Sequence, residues 1–177
     1  MRNMFSRAMR AALLNRGVYR DVAEDPTAIL HAMGTVSLVG IAIGLGMDGA
    51  LVDIGKPAAE LGSIVDRLVG TWMAIMITLV GWIVWAAVAF ATGTWFLRGH
   101  AKFRPILRAL GVGYGPGVLV ALAPLPGLGS IALATGHLWI LVTGVVAVHE
   151  TEALDWFGAS LATVLGWFLG FILIRGI

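Results

Sequence analysis

His137 stands near the middle of the expected fourth span, about 130–148, within a forty-residue stretch, Ala109 to Val148, that holds no Asp, Glu, Lys or Arg. A histidine in hydrocarbon is expensive and by default marks a functional position. It could ligate haem or a chlorophyll-type pigment, or relay protons, and His31 is the second candidate ligand. A bis-histidine site needs both rings at one depth, yet His31 lies near the start of the first apolar run and His149 near the end of the fourth. The alternative is a neutral His137 bonded to a hydroxyl or a backbone carbonyl.

Two further constellations could carry chemistry. His149, Glu150, Glu152 and Asp155 with His100 offer imidazole and oxygen ligands of the kind divalent ions accept. The zinc-protease pattern is incomplete, because Ala153 stands where its second histidine belongs. The other reading is a solvated loop whose carboxylates favour the positive N-terminal end of the helix that follows. Val-Gly-Tyr-Gly, residues 112 to 115, resembles the tetrapeptide of a potassium filter, where backbone carbonyls replace the hydration shell. Gly111 replaces the filter threonine, Pro116 leads into another apolar run, and Lys102, Arg104 and Arg108 would repel cations. Gly111, Gly113, Gly115 and Gly117 with Pro116 read better as a thin, kinked helix that lets a neighbour approach.

The elements that position these residues follow from length and hydropathy. A forty-residue helix would be about 60 Å long, roughly twice the hydrocarbon core, so Pro-Leu-Pro-Gly-Leu-Gly at 124 to 129 must turn the chain back. The chain is 59% hydrophobic and 12% charged with a mean hydropathy of +0.91, which excludes an ordinary soluble domain. The reading is an all-α integral membrane protein with five transmembrane helices, about 27–47, 71–96, 105–123, 130–148 and 156–174. Residues 1–26 form a cytoplasmic or interfacial segment, and 27–177 the membrane domain. Asp25 is the expected N-cap of the first span, with Pro26 at its first position. No secretory signal pattern opens the sequence, so Met1 to Arg20 is read as mature protein. Cysteine is absent, which removes disulfides and thiol chemistry from this chain.

Nine of the twelve basic residues fall before the first span or between the second and third, while Lys56, Arg67 and Arg175 fall opposite. The N-terminus is therefore expected in the cytoplasm. Met4, Phe5, Ala8, Met9 and Ala12 make an apolar stripe in Met1 to Leu14, with Arg2, Ser6 and Arg10 opposite. That pattern suits a short interfacial helix, and Arg2, Arg7 and Arg10 are its expected contacts with anionic headgroups. Gly40 with Gly44, Gly113 with Gly117, and Gly166 with Gly170 are small-xxx-small pairs for close helix packing, within a bundle or between copies. Trp72, Trp95 and Trp156 are expected interfacial anchors, whereas Trp82 and Trp85 are expected to face lipid or a partner.

Tyr19-Arg-Asp-Val-Ala-Glu-Asp-Pro26, Phe103-Arg-Pro-Ile-Leu-Arg-Ala-Leu-Gly-Val-Gly-Tyr-Gly-Pro116, Ala123-Pro-Leu-Pro-Gly-Leu-Gly129, Leu138-Trp139 and His149-Glu150-Thr151-Glu152 occur in an order that resembles the prokaryotic branch of the Yip family. That resemblance, over residues 16 to 175, implies a five-span Yip-like membrane domain with a cytoplasmic N-terminus and no enzymatic activity. The long polar N-terminal region of the eukaryotic, Ypt/Rab-interacting members is missing, so Rab binding is not implied, and the resemblance points to a prokaryotic cytoplasmic membrane. The expected function is non-catalytic: helix–helix association as scaffold, assembly factor or accessory subunit of a larger membrane complex. Its partners are membrane lipid and other transmembrane subunits or further copies, with no nucleic acid and no obligatory cofactor. The alternatives are a small transporter or channel built on His137 and the broken third span, and a histidine-ligated pigment or haem subunit.

Overall fold

A computed structural model describes residues 3–50, 64–100 and 102–175, with side chains described over 3–46, 68–100 and 102–170. Arg2 and Lys56, and the side chains of Arg67 and Arg175, lie outside the described residues. The described residues form helices and turns, with no strand among them. The order is α1 (Met4–Ala12), α2 (Arg16–Glu24), α3 (Ala28–Ala50), α4 (Ile64–Ala91), α5 (Phe103–Gly113), α6 (Gly129–Glu152) and α7 (Trp156–Arg175). A π-helical turn, Thr92–Phe96, extends α4, and a 3-10 segment, Gly115–Leu122, extends α5. Four helices are long and apolar enough to cross a membrane: Ala28–Gly46, Leu68–Phe96, Phe103–Leu122 and Gly129–Glu152. These mark a membrane protein. The apolar stretch of α7, Trp156–Gly170, is shorter.

Local chemistry explains the boundaries. Asp25 Oδ1 accepts from the Thr27 amide at 2.9 Å and from its hydroxyl at 2.7 Å, folding a turn at which α3 begins, two residues past the expected Pro26 start. Pro116 has no amide hydrogen for an i→i−4 bond, and its ring crowds the preceding turn, so the third span tightens into 3-10 geometry there. The chain then reverses between Ala123 and Leu128, with Gly127 at φ +78°, and α6 returns along the 3-10 segment.

Membrane helices gain little by hiding apolar surface from lipid, so small residues and interhelical hydrogen bonds must hold the bundle. Gly40 and Gly44 bring α3 onto the α4 backbone at Ile75 and Thr71. Gly113 meets Thr143, Gly117 fits between Val39 and Ile140, Gly166 lies under Trp85, and Gly170 faces the Gly81 carbonyl. All six pairing glycines are thus turned to neighbours inside the chain. Trp82 and Trp85 correct the sequence expectation: they are 2% and 1% exposed, inside the bundle. Their indole N–H groups donate to the carbonyls of Leu107 and Thr163, both at 2.9 Å, which satisfies the one polar atom each buries. Trp72, Trp95 and Trp156 are exposed.

Candidate functional site at the α2 end of the bundle

The polar side chains concentrate where α2 lies across α5 and α6. Tyr19 is fully buried there, and its hydroxyl donates to the Ala11 carbonyl at 2.8 Å, closing α1 against α2 across the left-handed Leu14 (φ 58°). Burial pushes the Tyr19 phenol well above its ordinary value. Arg108 of α5 donates to the Ala23 carbonyl at the end of α2. On the far side, Glu150 of α6 accepts from Arg20 at 2.5 Å and lies 3.8 Å from Arg16. The Arg16 guanidinium sits 4.8 Å from the centroid of the Trp156 ring, on which His149 stacks with centroids 3.9 Å apart. Helix α2 is in effect a strap that joins α5, α6 and the start of α7.

Helix α1 lies against α3, α5, α6 and the 3-10 segment. Its inward face carries Met4 against Gly34, Ala8 against Gly115, and the buried Ala11. Phe5, Met9 and Leu13 point outward, so the expected single apolar stripe is split between the bundle and its surroundings. Trp139 of α6 donates to the Ala12 carbonyl at 2.8 Å. The expected headgroup contact of Arg7 needs correcting. Arg7 is only 8% exposed, with one guanidinium nitrogen 2.6 Å from Asp25 Oδ2 and the other 2.9 Å from His31 Nδ1. Pairing an inward charge costs less than leaving it unpaired in an apolar bundle, which is why Arg7 turns in. Arg10 stays half-exposed, 3.4 Å from Asn15 Oδ1. Asp25 is held well below the usual carboxylate range, to about 2, first by the Thr27 hydroxyl and then by Arg7.

The Arg7 contact also decides the state of His31. A guanidinium has only donors, so Nδ1 must accept and the ring proton sits on Nε2, which leaves no ring lone pair for a metal. His137 has the opposite arrangement. Its Nδ1 bonds the Leu133 carbonyl at 2.8 Å, so the lone pair is on Nε2, and the ring meets the Trp167 ring edge-on at 6.5 Å. His31 thus faces α1 and His137 faces α7. It is the neighbouring Gly136 that meets Pro116 and Val120 of the third span.

The loop expected at residues 149 to 155 is mostly helix. Helix α6 continues through Glu152 and ends at a left-handed Ala153 (φ 55°), and Thr151 bonds back to the Ala147 carbonyl at 2.8 Å. Glu150 and Glu152 therefore belong to the last turn of α6. Asp155 serves the start of α7, accepting from the Gly158 amide at 3.0 Å. Glu152 is 1% exposed, its carboxylate seated against Gly93 and Gly99 at the π-helical turn. His149 donates to the Leu154 carbonyl at 2.6 Å, and His100 is exposed. Among the described residues no three of His, Cys, Asp and Glu converge on one point. Sequence reasoning did not single out the Tyr19 side chain, and it gave Arg7, Arg108 and Glu152 other roles. Tyr19 bonds a carbonyl only eight residues away, but Arg7, Arg108 and Glu152 meet elements distant in the chain, which no local signal in the sequence reports.

Comparison with models of known protein families finds no match, and comparison with curated proteins and with solved structures finds none either.

Proposed function

We propose that this chain is a non-catalytic, five-span protein of a prokaryotic cytoplasmic membrane, with a cytoplasmic N-terminus, that works by association as a scaffold, assembly factor or accessory subunit. The observation that carries this reading is how the polar groups are used. Arg7, Asp25, Arg20 and Glu150 hold α1 and α2 to the bundle, and the buried indoles and Thr143 bond neighbouring backbone. No side chain in these sets pairs a nucleophile with a free base. The outward faces offer apolar residues instead, such as Met33 on α3, Met76 and Ile83 on α4, Leu138 on α6, and Val164 and Phe168 on α7. Partners met through such faces are lipid and other transmembrane helices. Helix α7, twenty residues long, is the fifth span of this reading. The motifs resembling the prokaryotic Yip family belong to the same proposal, without Rab binding. Native gel electrophoresis of solubilised membranes tests it: deleting the protein should shift or remove at least one membrane complex, and an unchanged pattern counts against it.

A second reading keeps some support from His137. A ligating histidine commonly donates its other ring N–H to a backbone carbonyl, and the Leu133 bond leaves Nε2 in that state. Chain purified gently from its native membrane would then carry a visible absorption band that His137→Ala removes. A colourless preparation ends this reading.

A further inference from the structure

The π-helical turn ends α4 with two adjacent aromatic residues out of the bundle: Trp95 is 75% exposed and Phe96 78%. Leu97 turns back against the core, and Arg98, Lys102 and Arg104 follow, all exposed. Three fixed cations thus fall within seven residues, beside two bare aromatics. Among the described residues none of the three forms an ion pair. The carboxylate beneath the turn, Glu152, is buried against Gly93 and Gly99, and even counted in full against one cation it leaves two.

We propose that Trp95, Phe96, Arg98, Lys102 and Arg104 form a binding site for an anionic phospholipid, with Arg98, Lys102 and Arg104 holding the phosphate and Trp95 and Phe96 set among the acyl chains below it. Indole and phenyl rings favour the boundary between headgroup and chain, and basic side chains there attract acidic lipids. Soluble phosphate would engage the cations alone, whereas a phospholipid meets the cations and the aromatics together, which selects lipid as the occupant. The site differs from α1, whose Arg7 is turned into the bundle, and it rests on the membrane-spanning reading above.

The test uses the full chain in nanodiscs of equal phosphatidylglycerol and phosphatidylcholine, with retained lipids counted by native mass spectrometry after transfer to mild detergent. Wild type should keep phosphatidylglycerol over phosphatidylcholine by about tenfold, given the attraction of several basic residues for an acidic headgroup, and lose that preference in high salt. The variant Arg98→Gln, Lys102→Gln, Arg104→Gln should fall to parity while its melting in detergent stays that of wild type, because all three side chains are exposed. The charge-keeping variant Arg98→Lys, Lys102→Arg, Arg104→Lys should retain the preference. Trp95→Ala with Phe96→Ala should weaken retention of both lipids. A triple glutamine variant that keeps the preference, or wild type that shows none, overturns the proposal. So does displacement of the lipid by millimolar glycerol phosphate, or a loop that captures an acidic protein and ignores phosphatidylglycerol. Carbonate extraction checks membrane insertion separately, so an inserted chain without lipid preference overturns this site alone.

Discussion

Arg7 is the residue on which the docking of α1 turns, because its guanidinium serves two acceptors contributed from outside its own helix. Replacing it with alanine leaves Asp25 without its cation and His31 Nδ1 without a donor. Amide hydrogen exchange in Met4–Ala12 should then rise at least tenfold while that of α4 and α6 stays slow, as expected for local rather than global opening. Equal exchange in the variant and wild type would mean that Met4, Ala8 and Ala11 hold the helix by packing alone. The pH dependence has a defined sign. Since the Asp25 pKa is depressed, its contribution is complete above the ordinary value of 3.8 and is lost as pH falls through about 2. Protection of α1 should therefore be steady from neutral pH to about 4 as far as Asp25 is concerned, and weaken only in stronger acid. Nothing local in the sequence distinguishes Arg7 from Arg10: both lie beside apolar residues on one short helix, and the partners that separate them are 18 and 24 residues away.

At the scale of elements, the crossing of α3 and α4 depends on the absence of side chains at Gly40 and Gly44. A methyl group built at either would meet the α4 backbone well inside contact distance. Gly40→Leu should cost about 1 to 3 kcal/mol as an overpacking change, read as a lower melting temperature in detergent. No loss of stability would place the crossing elsewhere. Small-xxx-small spacing made this contact legible in the sequence, as charge-free length made the hairpin and proline chemistry the break at Pro116. The end of α6 was not legible. Glutamates 150 and 152 look like loop residues beside an apolar span, and only long-range contacts, Arg20 for one and the glycine-lined turn for the other, pull them into helix. The buried tryptophans misled for a related reason: in a membrane protein apolarity does not separate inside from outside, so Trp82 and Trp85 read the same as lipid-facing residues until their indole partners are known.

The described residues combine four long apolar helices with a fifth, α7, and Arg20 and His100, from the segments before α3 and between α4 and α5, both meet the last turn of α6. On the five-span proposal, single cysteines in this cysteine-free chain report sidedness directly. Leu125→Cys and Ile177→Cys should react with an impermeant maleimide in intact cells, and His100→Cys only after the membrane is opened. Labelling of 125 but not 177 would mean that α7 does not cross. The central claim, action by association within the membrane, is tested most directly by mass spectrometry of the chain purified at its native level from its own membrane in mild detergent. Stoichiometric co-purification of at least one other membrane subunit is the expected result. A single chain, free of partners and retaining only bulk lipid, would contradict it.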